Sequence, residues 1–264
     1  GSVGSLAAMA GMGGLSVISW LYESMPLQYY YLVGGIVIVL GAIFLLRLPK
    51  ELGSTEAKPA RILLKKKYWL YYLLIFFSGA RKLVLGSFVT LMMVERFGLK
   101  VWHVSTLMLA SSVLNFVVGP YRGSLVDRFG ERITTPVAYG ILALCCLGYA
   151  FVPLLGLSNA QGLVILIALW IVIKLAQPLG LGLRTYVYRT APPEELTPTL
   201  SAGVTFDHIS SVSMPFLYGA LLPVMQYEGI FLALAILILL SIPFARALQI
   251  RAPAAAQPVL SGAE

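Results

Sequence analysis

Charge is scarce in this sequence: only 11% of its 264 residues are Asp, Glu, Lys or Arg, against 59% that are hydrophobic. Soluble domains cannot hide that much apolar surface, so an ordinary globular fold in water is excluded. Histidine and cysteine are scarcer still, with two of each. Cys145 and Cys146 are neighbours in the middle of an apolar run. A disulfide between them would be strained and no further metal ligand stands beside them, so they read as packing residues. His103 and His208 are the only histidines, and the chain has no H-E-x-x-H, no G-x-S-x-G and no Gly-Lys-Ser/Thr. Metal clusters, a nucleophile with its base and a phosphate loop all go unsupported. Neither an enzyme nor a cofactor or metal is expected. No basic segment precedes the first apolar run, which argues against a signal peptide.

What is present is a series of long apolar runs. Crossing a bilayer takes about 20 apolar residues, because a helix rises about 1.5 Å per residue across roughly 30 Å of hydrocarbon. Eight runs qualify: Val3 to Leu21, Tyr30 to Leu46, Trp69 to Val94, Val104 to Pro120, Pro136 to Leu155, Leu163 to Tyr188, Leu200 to Pro223 and Ile230 to Ala245. Barrel strands would alternate polar and apolar residues over about ten positions, and these runs do not. The expected fold class is an all-α, polytopic membrane protein.

The net charge of +8 could suggest nucleic acid as a partner, but the placement of the charges points to the lipid bilayer instead. If Val3 begins on the cytoplasmic side, fourteen basic residues fall in inner segments, among them Arg47, Lys65, Lys66, Lys67, Arg122, Arg128, Arg189 and Arg246. Only Arg96 and Lys100 fall in outer loops. That asymmetry places both ends of the chain in the cytoplasm of a plasma or inner membrane. The charged, Pro- and Gly-containing segment from Arg47 to Tyr68 separates two runs (residues 1–46) from six (residues 69–246), and the Pro-containing tail 247–264 reads as disordered.

One polar stretch, "GSLVDRFGERI" at residues 123 to 133, is pressed between two of the most apolar runs. Here Pro120 is expected to end a crossing and Gly130 to turn the chain, with Asp127 as acceptor and Arg128 and Arg132 as donors of a clasp. Gly123, Leu125, Asp127, Arg128, Gly130 and Arg132 match G-x-L-x-D-R-x-G-x-R, and in this the chain resembles the major facilitator superfamily of secondary transporters. Glu131 departs from the pattern, where the family usually has arginine. The resemblance implies a twelve-helix fold in two halves joined by a basic cytoplasmic loop. It makes residues 1–46 the last two helices of one half, 47–68 the loop and 69–246 the whole of the other half. Four more helices of the same polypeptide would then lie upstream. It also implies that Asp127 sits against the cytoplasmic end of the helix beginning near Gly1 in outward-facing states, with Arg128 and Arg132 bracing the clasp.

Ionisable and amide groups at mid-depth are the candidate binding or coupling residues, since burying them in lipid is costly. Arg81, Lys82, Asn115, Lys174 and Asp207 lie roughly 10 to 20 Å inside their runs, where transporter sites sit, and His208 follows Asp207. The economical arrangement pairs Asp207 with Lys174 or Arg81 and leaves surplus positive charge. That surplus suits an anionic small-molecule solute, with Asp207 or His208 handling protons. Pro178, Gly180 and Gly182 below Lys174 predict a kink. The alternative is a non-transporting scaffold or receptor built on a transporter remnant.

Overall fold

The structure, a computed structural model, describes residues 10, 11, 13, 14, 17, 26–46 and 64–247. Most of the expected first crossing and of the loop 47–68, and the tail beyond Ala247, lie outside the described residues. So do a few side chains within the helices, those of Asp127, Glu131 and Arg132 among them.

All regular structure among the described residues is helical. In order, α1 spans Leu27–Leu45, a short 3-10 turn Lys66–Tyr68 leads into α2 (Trp69–Phe97), and α3 (Val101–Phe129) and α4 (Glu131–Phe151) follow. A 3-10 turn Val152–Leu155 precedes α5 (Asn159–Ala176), a second one, Gln177–Leu181, precedes α6 (Gly182–Thr190), and α7 runs Pro193–Ala247. Five of these elements are long and apolar enough to cross a membrane: Lys66–Phe97, Val101–Val126, Ile133–Leu155, Asn159–Leu179 and Pro193–Ala247. A shorter apolar helix covers Gln28–Ile43.

At 55 residues, α7 would be roughly 80 Å long if straight, far more than a bilayer needs. It is broken at Gln226, whose φ of 55° and ψ of 178° are not helical. Its two arms, 193–225 and 227–247, therefore accommodate the seventh and eighth apolar runs, with the turn where "MQYEG" predicts it.

Two expected boundaries are corrected. Pro120 does not end a crossing, because α3 continues through it to Phe129. Proline removes one backbone hydrogen bond, a loss that membrane helices tolerate. The charged hairpin thus shrinks to a helix end plus Gly130, which turns the chain at φ 73°. The run Leu163 to Tyr188 is likewise not one helix, since Gln177–Leu181 divides α5 from α6. This is the kink that Pro178 and its glycines predict. At the start of α5, the Ser158 hydroxyl accepts from the Gln161 N–H and the Gln161 side chain reaches back, a complete capping box.

The chain forms two compact units, residues 1–60 with 99–117 and residues 61–98 with 118–264. In the first, α1 is exposed at nearly every described side chain. The start of α3 is organised by His103, whose Nδ1 accepts from the Lys100 N–H at 3.2 Å and whose ring stacks on Trp102.

In the second unit, α2 lies between the two arms of α7. Along α2, Tyr71 meets Gly203, Tyr72 stacks on Phe206 and Phe88 meets Tyr218, so the first arm runs parallel to it. Trp69 and Phe77 meet Phe244 while Arg96 meets Glu228, so the second arm runs antiparallel. Crossings counted from α2 put the first arm fifth and the second sixth, and alternation through a membrane demands these same directions. The Tyr149 hydroxyl of α4 donates to the Leu166 carbonyl of α5 at 2.6 Å and its ring packs on Phe231. Cys145 and Cys146 are free and buried in this core. Large apolar side chains such as Phe216, Val212 and Leu144 remain exposed, as helices facing lipid require.

Candidate functional site

Small residues set the geometry where α2 meets the first arm of α7. A Cβ on Gly79 would come within 2.2 Å of Ser210 Oγ and 2.5 Å of the Asp207 carbonyl oxygen, so only glycine permits this approach. Gly203 does the same under the Tyr71 ring. Residues three apart share a helix face, so Lys82 points where Gly79 does. Its Nζ reaches Asp207 Oδ2 at 3.7 Å. Asp207 therefore pairs with Lys82, not with Lys174 or Arg81. The separation exceeds the 2.7–2.9 Å of a tight charge-assisted bond, and the Lys82 side chain is 63% exposed. The pair is loose and accessible. His208, next in sequence, is exposed as well.

The other candidates stand apart from this pair. Arg81 is buried, with its guanidinium carbon 3.9 Å from the ring centre of Tyr139 on α4. Lys174, in the last turn of α5, holds its ammonium 5.6 Å from the ring centre of Trp170. Both cations thus rest on aromatic faces, a favourable placement where water is absent. Sequence reasoning missed Tyr139 and Trp170, because an aromatic residue in an apolar run carries no mark distinguishing a cation platform from core. Asn115 is half-buried on α3, in the other unit. Of the polar hairpin, Gly123 and Arg128 are exposed, and Arg128 lies 5.5 Å from the ring centre of Phe129. The clasp expected of Asp127 and Arg132 rests on side chains outside the description.

Two further clusters tie α2 to α7 at its ends. Before the apolar part of the first arm begins at Leu200, Glu195 accepts from Lys65 Nζ at 2.6 Å, from Lys67 Nζ at 2.7 Å and from the Tyr68 hydroxyl at 2.9 Å. These bonds, from Lys65 first and then Lys67 and Tyr68, hold its carboxyl down to about 2. At the far end Arg96 makes a two-pronged pair with Glu228, and Tyr227 donates to Glu95. The sequence places the charged members of these clusters near the ends of apolar runs but gives no sign of which partner, some 130 positions away, each meets.

Long apolar helices that alternate in direction, with an ion pair in the middle of a crossing and charged clusters at the ends, define a multi-pass α-helical membrane protein. The Major Facilitator Superfamily model matches residues 1–182, and the chain belongs to that family. It is accordingly a transmembrane transporter in kind, of a family that carries small solutes, sometimes with protons, and whose members are not enzymes. No characterised protein and no solved structure matches the chain.

Proposed function

We propose that the protein carries a small anionic solute together with protons by alternating access, and that Lys82 and Asp207 form the coupling pair. The observation that carries this reading is their loose, accessible contact at mid-depth. With Asp207 ionised the pair is neutral and has little hold on an anion. Once Asp207 takes up a proton, Lys82 is left as an uncompensated ammonium, and an anion can replace the carboxylate beside it. Loss of the proton restores the pair and expels the anion. One monovalent anion thus moves with one proton, and no net charge is carried across. His208, exposed beside Asp207, is the group that relays the proton. Lys174, in the same unit, adds positive charge that favours an anion over a cation.

In the same reading, residues 1–46 close one helical half, 47–68 form a cytoplasmic loop, 69–246 form the second half, and both ends of the chain are cytoplasmic in a plasma or inner membrane. The hairpin Gly123–Arg132 acts as a cytoplasmic gate through Asp127, Arg128 and Arg132. The test is uptake of a panel of labelled organic anions by vesicles holding the full-length protein, with and without an inward proton gradient. Wild type should accumulate one or more anions when the gradient is imposed. Asp207→Asn should retain exchange but lose gradient-driven accumulation, and Lys82→Gln should lose both. Accumulation that survives in Asp207→Asn removes the coupling role. A wild type that moves nothing from the panel favours the scaffold alternative.

A further inference from the structure

Arg81 raises a problem that the coupling pair does not solve. It is 4% exposed in the middle of a membrane-crossing helix, and a guanidinium cannot shed its proton as a buried lysine can. Its neutralisation must therefore come from a neighbour. Asp207 is not that neighbour. It faces Gly79 and Lys82, whereas Arg81, two positions beyond Gly79, is turned about 200° away from that glycine. Among the described residues the acidic partners in ion pairs are Glu195, Asp207 and Glu228, and none of them is paired with Arg81.

The immediate surroundings of the guanidinium are equally specific. Tyr139, fully buried on α4, covers one face of it at 3.9 Å. This contact offsets part of the charge but leaves the in-plane N–H groups unused. At one edge Nη2 donates to Ser78 Oγ at 3.5 Å, a long and weak bond. At the other, Nη1 is buried with no acceptor among the described residues, and the hydroxyl on the rim of the Tyr139 ring is likewise buried without one. Two unmet donors and one uncompensated positive charge are thus held by the same stacked pair. Buried polar groups of native proteins nearly always have partners, and each exception needs a cause.

We infer that Arg81 and Tyr139 form a binding site for a small monovalent anion, a halide or a carboxylate, on the side of α2 turned away from the Lys82–Asp207 pair. The charge count selects the ligand: one guanidinium is balanced by a single negative charge, whereas a phosphate dianion would leave an excess negative charge buried. The donor set agrees, since an edge N–H and a phenol O–H both point to an acceptor and no carbonyl or carboxylate is offered to a cation. This site goes beyond the transport reading and does not depend on it, because Lys82 and Asp207 take no part.

The test is thermal unfolding of the purified full-length protein at fixed pH and ionic strength, with chloride or acetate titrated against bulky gluconate. Saturable stabilisation is expected in wild type and in Lys82→Gln. It should vanish in Arg81→Gln. In Tyr139→Phe, which loses one hydrogen bond, it should shift to about tenfold higher anion concentration. Stabilisation by chloride alone assigns a resident counter-ion, and stabilisation by acetate alone assigns a carboxylate subsite. No difference from gluconate in wild type, or an unchanged response in Arg81→Gln, overturns the site. Should Arg81→Gln fail to fold, direct binding of labelled chloride and acetate to wild type and Tyr139→Phe decides the matter, because equal affinity for whichever anion binds, or no binding of either, would also overturn it.

Discussion

Gln226 occupies a backbone region, φ 55° and ψ 178°, that is essentially reserved for glycine. It is held there by the turn between the arms of α7, with its own Nε2 donating to the Pro223 carbonyl at 3.3 Å. Such a conformation costs a non-glycine residue about 1–3 kcal/mol. Gln226→Gly should therefore raise stability by about 1 kcal/mol after the entropy lost to a more flexible unfolded chain. The check is slower heat inactivation in detergent, and an unchanged or faster rate would show that the turn is unstrained. The same scale explains why the sequence offers Arg81 or Lys174 to Asp207 where the structure pairs it with Lys82. Neighbouring residues on a helix diverge by about 100°, so the sequence places Arg81 and Lys82 at one depth and leaves their faces open. Gly79, three residues before Lys82, is the mark that was present: the close helix approach lies on its side, and Lys82 shares it.

At the scale of the element, hydrophobic run length made the crossings legible, because the bilayer imposes a length that no core requires. Four of the eight runs correspond to helices or arms with boundaries near those expected, α1 covers a fifth, and two more, Val104 to Pro120 and Leu163 to Tyr188, are helical with other boundaries. Continuity was legible at Pro178, where a kink is expected, and not at Pro120. Pro120 and Pro178 look alike in sequence, yet α3 passes through the first while α5 gives way to a 3-10 turn at the second. Pro178 is followed closely by Gly180 and Gly182, which remove the side-chain packing that would hold a continuous helix. The pairing of α2 with the arms of α7 was also hidden, since short loops suggest packing between sequence neighbours. The close approach at Gly79 yields a prediction at this scale. Gly79→Ala must push α7 outward, because its new methyl meets the Asp207 backbone oxygen at 2.5 Å as well as a movable side chain. Removing the Ser210 hydroxyl in addition will not rescue it. The expected cost is about 1–3 kcal/mol, with loss of gradient-driven uptake, and a Gly79→Ala protein of wild-type stability would show that the helices do not meet this closely.

Across the whole of the second unit, α2 is fastened by polar clusters at both ends and packed closely at Gly79, and its mid-depth ion pair alone is loose. Glu195 binds Lys65, Lys67 and Tyr68 at one end, Arg96 and Glu95 engage Glu228 and Tyr227 at the other, and the mid-depth pair is held at only 3.7 Å. An arrangement of this kind lets the pair open and close without separating the helices that carry it. The Glu195 cluster can be probed by pH, and the sign follows from its carboxyl lying near 2 against an ordinary 4.5. A lowered value means that the folded state holds the proton less tightly than the unfolded one. The cluster's contribution is therefore complete above about 4.5 and fades as pH falls through about 2. In Glu195→Gln that dependence should disappear, so the melting temperatures of variant and wild type should differ at pH 6 and converge toward pH 2. Both lysines are about half-exposed, so the difference at pH 6 should also shrink in molar salt. A gap that persists at low pH would mean that Glu195 acts through packing and not through its charge, and the fastening at that end of α2 would have to be sought in its aromatic contacts with Phe206 and Phe244.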